Sequence, residues 1–136
     1  MNRIKYFQDK VLELSGKLKI KRPYIRQDNR LGGYIASICE GVHIKKGYKR
    51  YFLTYNAKVL NTFPKWMIIH SILHELGHIK TGIQGEYKAE KFALKAIKKH
   101  FPMYYQRTIN YLKNYVGSGI KPYDKAFSKL IKELNV

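Results

Sequence analysis

The chain has 136 residues, 45% hydrophobic and 14% aromatic, which excludes wholesale disorder and fits one domain spanning 1–136. A single cysteine, Cys39, excludes an internal disulfide and a cysteine-built zinc site, and it fits a reducing cytoplasm. Lys and Arg outnumber Asp and Glu by 27 to 9, and the net charge of +18 is spread through both halves of the chain. Such a field draws nucleic acid or another polyanion, although a lysine-rich composition gives the same charge with no partner.

The first residues, MNRIKYFQDKVLELSG, are charged throughout and carry no apolar signal core. Ile4, Phe7, Val11, Leu14 and Leu18 recur with a helical period, so a helix is expected from about Asn2 to Leu18, closed by Arg22-Pro23. PYIRQ then reads as a short strand before the polar turn Asp28-Asn29-Arg30. Gly32 to Leu60 reads as sheet, because YIASICEGVHI and YKRYFLTYN are β-branched and aromatic with a turn at Lys46-Gly47. Cys39 is expected there as a small buried hydrophobe. A hairpin so placed offers an edge on which an extended peptide can pair, or it merely covers the following helix.

Asn61-Thr62-Phe63-Pro64 signals a helix start, a capping residue and then Pro in the first turn, and the helix should run from about Pro64 to Lys80. Trp66–Ile69, the longest apolar run, is far short of a bilayer span, so no membrane association is expected. Gly82 and Gly85 bracket a turn into a second helix, about Glu86 to Lys99, with Ala89, Phe92, Ala93 and Ala96 as a narrow packing face. Pro102 opens a further helix, Gly117-Ser118-Gly119 ends it, and a last amphipathic helix carries Ala126, Phe127, Leu130, Ile131 and Leu134. The fold class is α+β: an N-terminal helix, a small antiparallel sheet, then a helical half.

His74-Glu75-Leu76-Gly77-His78 is an H-E-x-x-H sequence inside the central helix. Residues four apart share a helix face about 6 Å along the axis, so both imidazoles can converge on one zinc ion. Glu75, rotated by about 100°, can reach a metal-activated water as general base without binding the metal. Gly77 allows something to approach the helix closely. A third ligand is required, and the acidic pair Glu86 and Glu90, in so basic a chain, supplies candidates.

His70 continues the histidine stripe but lies about 12 Å from His78, so the three cannot share one ion. A packing or surface role is expected for it, as for His43 and His100. Tyr104, Tyr105, Tyr123 and His100 are candidate oxyanion donors. MYYQRTINYLKNY mixes aromatic and basic residues and is expected to be a packing face with a solvated edge.

HELGH followed by Glu86-Tyr87-Lys88-Ala89-Glu90-Lys91-Phe92-Ala93 resembles the minimal gluzincin pattern, H-E-x-x-H then E-x-x-A-[DN]-x-[FY]-A, of the ImmA/IrrE metallopeptidases and of HtpX-like proteases. The resemblance covers roughly Leu53 to Ala96. It implies a zincin-like core, one zinc ion held by His74, His78 and Glu86, and Glu90 supporting a ligand histidine. Two departures stand out: the span from His78 to Glu86 is short, and Glu90 replaces the usual Asp or Asn. HtpX-like proteins are membrane enzymes, so the ImmA/IrrE pattern is the nearer one. SprT-like proteases share the layout from Arg30 into the HELGH helix, but their third ligand is a histidine, and His100 lies at the far end of the next helix.

The expectation is a cytoplasmic zinc metalloendopeptidase with Glu75 as base and a protein substrate, one bound to DNA if the charge is functional. ImmA/IrrE-like proteins are associated with cleaving or inactivating DNA-bound repressors. Two alternatives stand beside this reading: a basic nucleic-acid-binding module with a structural or vestigial metal, and a metal-dependent toxin or anti-host factor of a mobile element.

Overall fold

The computed structural model describes residues 2–29, 36–42, 49–82 and 85–136, with the backbone alone for 36–42 and 49–50. In chain order the elements are α1 (Arg3–Lys17), β1 (Tyr24–Gln27), β2 (Ala36–Val42), β3 (Lys49–Tyr55), α2 (Ala57–Leu60), α3 (Lys65–Thr81), α4 (Glu86–His100), α5 (Pro102–Lys113) and α6 (Tyr123–Leu134). This is the α+β arrangement expected. No helix among the described residues is long and apolar enough to cross a membrane.

Asn2 caps α1 by accepting the Lys5 amide at 3.1 Å, and the apolar stripe Phe7, Val11 and Leu14 turns inward. The sheet is mixed rather than antiparallel throughout, with strand order β1-β3-β2. Antiparallel pairing of β2 and β3 runs from Ala36↔Tyr55 to Val42↔Lys49, as a hairpin requires. β1 lies on the other side of β3 and runs parallel to it, Tyr24↔Phe52 to Gln27↔Tyr55. Between β1 and β2 the chain therefore passes to the far edge and reverses, so β3, returning between them, must run with β1. The expected turn at Lys46-Gly47 and residue His43 lie outside the described residues, as does the side chain of Cys39.

The expected sheet stops short of Leu60, because Asn56 starts a helical turn instead. Its side chain accepts the amides of Lys58 and Val59, which commits Ala57–Leu60 to α2. Asn61 then closes α2 rather than opening α3, and Pro64 occupies the position before the first turn of α3. Proline costs nothing there, since the first amides of a helix lack partners within it.

Most sides of α3 are covered: Ile68, Ile69, Ile72, Leu73 and Leu76 are fully buried, and His70, His74 and His78 are buried with only a small remnant exposed. A helix apolar nearly all round belongs at the centre of its fold. Phe7, Val11 and Leu14 of α1, Leu53 and Tyr55 of β3, Leu60 of α2 and Ala93, Ala96 and Ile97 of α4 complete this core. A second cluster joins Leu94 of α4 to Ile109 and Leu112 of α5 and to Phe127 and Leu130 of α6. Much of MYYQRTINYLKNY is thus a packing face, as expected, with Thr108, Ile109 and Leu112 buried. Helix α4 is shared by both clusters, so its position is fixed from two sides.

Candidate metal centre

Helix α4 begins at Glu86 without a side-chain cap, and the Glu86 carboxylate sits in the first turn, where the helix dipole favours a negative charge. Glu86 and Glu90, one turn apart, face the histidine stripe of α3. The two sets of side chains interlock as a ladder. His74 Nε2 lies 2.7 Å from Glu86 Oε2, and His78 Nε2 lies 3.2 Å from Glu86 Oε1. His74 Nδ1 lies 2.8 Å from Glu90 Oε1, and His70 Nε2 reaches both Glu90 oxygens at 2.9 and 2.8 Å. Pairing 78 with 86 and 70 with 90 requires the helices to run antiparallel. The short link from Ile79 to Gly85 therefore does return Glu86 to His74 and His78. Gly82, with φ of +126°, ends α3 in a conformation that favours glycine, while Ile83 and Gln84 lie outside the described residues.

Gly77 explains how the helices come close enough. A Cβ at that position would meet the Ala89 carbonyl oxygen at 2.6 Å and its Cα at 3.0 Å, so the backbone of α4 occupies the space a side chain would need. The close approach expected at Gly77 is made by Ala89, the residue before Glu90.

Three electron-pair donors converge at the open end of the ladder. Ionised Glu90 can only accept, so His74 donates its Nδ1–H to Glu90, and His78 donates its Nδ1–H to the Gly82 carbonyl at 3.1 Å. When the imidazoles are neutral, both Nε2 atoms then present lone pairs 3.2 Å apart beside the Glu86 carboxylate. Three acceptors with no donor between them must share protons or a cation. In tetrahedral coordination with bonds of about 2.0–2.1 Å, donor atoms stand roughly 3.3–3.4 Å apart. The two 3.2 Å separations match, and the 2.7 Å one is shorter. These residues lie close enough to hold a metal ion.

Without a metal the site holds protons. Burial opposes a charge on His74, yet hydrogen bonds to Glu86 and Glu90 outweigh it and hold the imidazole pKa well above its ordinary value. At His78 burial is likewise outweighed, by Glu86 and the Gly82 carbonyl. Burial would raise Glu86, but hydrogen bonds from His74 and His78 bring it down to about 2. Fully buried Glu90 is also held at about 2, its burial offset by attraction to His70 and hydrogen bonds from His70 and His74.

A second trio, His70, His74 and Glu90, also lies within ligating reach of one another. His70 is thus neither a surface residue nor an ordinary packing residue; it belongs to the ladder. The signal was present in the sequence as two matching periods of four, His70/His74/His78 and Glu86/Glu90. Tyr111 is a further neighbour that sequence reasoning missed. Its ring packs edge-on against His70 at 5.8 Å, and burial, then its bond to Tyr115, raises its pKa.

The four candidate oxyanion donors are placed elsewhere or less directly. His100 ends α4, about 21 Å along the axis from Glu86, where burial and then the charges of Lys17 and Lys99 lower its pKa. Tyr104 stacks on Phe101, and Tyr105 lies under the Lys98 ammonium, both at that same far end. Tyr123 packs on Tyr115 and Phe127. Glu75 follows His74 on an adjacent, half-buried face of α3. Comparison with protein-family models, with curated proteins and with solved structures finds no match.

Proposed function

We propose that the protein is a zinc-dependent endopeptidase in which His74, His78 and Glu86 hold the ion and Glu75 is the general base. The observation that carries this reading is the convergence of His74 Nε2, His78 Nε2 and the Glu86 carboxylate within 2.7–3.2 Å of one another. Two imidazoles and one carboxylate are a donor set suited to catalytic zinc, which keeps one position open. The resemblance of HELGH and ExxAExFA to ImmA/IrrE metallopeptidases assigns the same roles to the same residues.

Glu86 is favoured over Glu90 by chemistry as well as by access. Glu90 already accepts N–H groups from His70 and His74, so that end of the ladder is satisfied without a cation, and its side chain is wholly buried. The Glu86 side chain keeps 19% of its surface exposed. Glu90 orients His74 through Nδ1, and His70 holds Glu90, an arrangement that fixes which nitrogen is free to ligate.

Bound at this site, zinc supplies a Lewis acid that polarises the scissile carbonyl and acidifies water. Glu75 would take a proton from the water that attacks the carbonyl carbon and deliver it to the amine nitrogen, so that the C–N bond breaks once the new C–O bond has formed. An extended substrate can pair along β2, an edge strand that lies beside α3. The substrate class that fits is an unfolded protein segment presented as a strand.

Metal content and proteolysis test the assignment together. The protein dialysed against zinc should retain one ion and cleave an unstructured protein, and Glu75→Gln should retain the ion and lose cleavage. Retained cleavage in the Gln variant would remove Glu75 from the reaction. A chain that holds no zinc, or a His74→Ala variant with full activity, would end the zinc reading.

A further inference from the structure

Helix α4 has two chemically opposite faces. Toward α3 it presents Glu86 and Glu90; away from α3 it presents Lys88, Lys91, Lys95, Lys98 and Lys99, all exposed. At 100° per residue these five lysines fall within an arc of about 100° and extend roughly 16 Å along the axis. Helix α6 repeats the pattern with Lys125, Lys129 and Lys132, exposed within an arc of about 60°. The two stripes meet at one ring: the Lys129 ammonium lies 4.2 Å from the centre of Tyr87, and the Lys91 ammonium 5.6 Å from it.

Neutralisation is uneven across the molecule. On α1, Lys5 pairs with Asp9 at 3.0 Å and Lys10 with Glu13 at 2.9 Å. Along the eight lysines of α4 and α6, the carboxylate that approaches among the described residues is Glu133, already engaged by the Tyr87 hydroxyl and 3.9 Å from Lys91. Asp124, at the start of α6, is taken up by the amides of Gly117 and Gly119. Among the described residues, Lys5 and Lys10 are paired within α1 while the lysines of α4 and α6 are nearly unpaired, an asymmetry that a compositional excess of lysine alone does not explain.

We infer that the α4–α6 lysine face binds the phosphate backbone of a nucleic-acid duplex, without reading its sequence. A row of ammonium groups approached, among the described residues, by the Glu133 carboxylate alone matches a regular line of phosphates. Binding through stacked single-stranded bases needs free aromatic rings. Tyr87 is instead flanked by two ammonium groups and hydrogen-bonded to Glu133, and Tyr105 lies under the Lys98 ammonium. Insertion into a lipid surface needs apolar side chains among the cations. The large exposed hydrophobic residues among those described, Leu12, Tyr24, Met103, Val116, Ile120 and Val136, all lie outside both stripes. The inference does not depend on the metal site, which faces the other way from α4.

The test compares two variants of equal charge. Lys88→Gln, Lys95→Gln and Lys99→Gln together remove three charges from the face; Lys5→Gln, Lys21→Gln and Lys58→Gln remove three from the N-terminal half. Binding of each to a short DNA duplex of arbitrary sequence is titrated against salt, with circular dichroism as the check on folding. The face variant should lose at least tenfold in affinity, and its plot of log K against log salt should flatten by about 0.9 for each phosphate contact removed. The N-terminal variant should stay within a few-fold of the parent. Equal losses in both would mean that net charge, not this face, drives binding, and would overturn the inference. So would salt-insensitive binding, or anionic phosphatidylserine vesicles that displace the duplex at the same salt. Should the α4 variant fail to fold, Lys125→Gln, Lys129→Gln and Lys132→Gln on α6 make the same comparison.

Discussion

At His74 both ring nitrogens are committed, Nδ1 to Glu90 and Nε2 to Glu86 and His78. That double commitment makes the residues behind it matter. His70→Ala would leave Glu90 buried with one of its two donors gone and His74 less firmly oriented. Zinc affinity should fall by about 10–100-fold, as for other partners of ligand histidines, with His70→Gln recovering part of it by restoring an N–H. Competition with a chromophoric chelator measures both. Protonation gives a second prediction at this scale. His74 and His78, raised above 6.5, stabilise the metal-free fold below that pH and lose this contribution as pH rises through their folded values. Glu86 and Glu90, lowered from 4.5 to about 2, contribute above pH 4.5 and lose it as pH falls toward 2. The metal-free ladder is therefore strongest between pH 4.5 and 6.5. A metal must displace the histidine protons, so the rise in melting temperature on adding zinc should grow as pH increases from 6 toward 8. A pH-independent rise would show that the histidines are not the ligands.

Among the elements, α3 and α4 were the most legible in sequence. Their periods of apolar residues, the proline before α3 and the glycines between them fix both helices to within one residue of the expected ends. The pair His74 and His78 was legible for the same reason, since spacing of four is a property of one helix, whereas Glu86 as their partner came from the family resemblance. The pairing of His70 with Glu90 was only hinted at by the matching periods of four, because the register between the two helices depends on packing at Gly77. Nor was α2 visible: Asn56 closes an aromatic run that reads as strand until the side-chain cap is seen. Parallel pairing of β1 with β3 is a long-range choice that local propensity does not encode. Gly77 carries the prediction that belongs to this scale. Gly77→Ala places a methyl against the Ala89 backbone, which cannot swing aside as a side chain could. Pushing α4 away should cost about 1–3 kcal/mol of stability, despite the gain in helix propensity. The same shift separates Glu86 from the histidines, so zinc affinity should fall along with the chemical-denaturation midpoint. Undiminished affinity in a destabilised variant would show that the ladder tolerates a wider gap.

For the molecule as a whole, charge and metal act in opposition. Most acidic residues are scarce and occupied, and three of the nine lie at or beside the candidate centre. An approaching divalent cation thus meets a repulsive envelope of +18 before it reaches a local negative trap. Added salt shortens the reach of that envelope, to roughly 8 Å at physiological ionic strength, while the buried donors are screened much less. Zinc uptake should accordingly speed up with a non-coordinating salt over the same range in which duplex binding weakens. The loading rate, followed by stopped flow, and the duplex affinity should then move in opposite directions along one salt axis. A protein purified at low salt with nucleic acid still bound would have its outer charge partly cancelled and should load metal faster than the stripped protein.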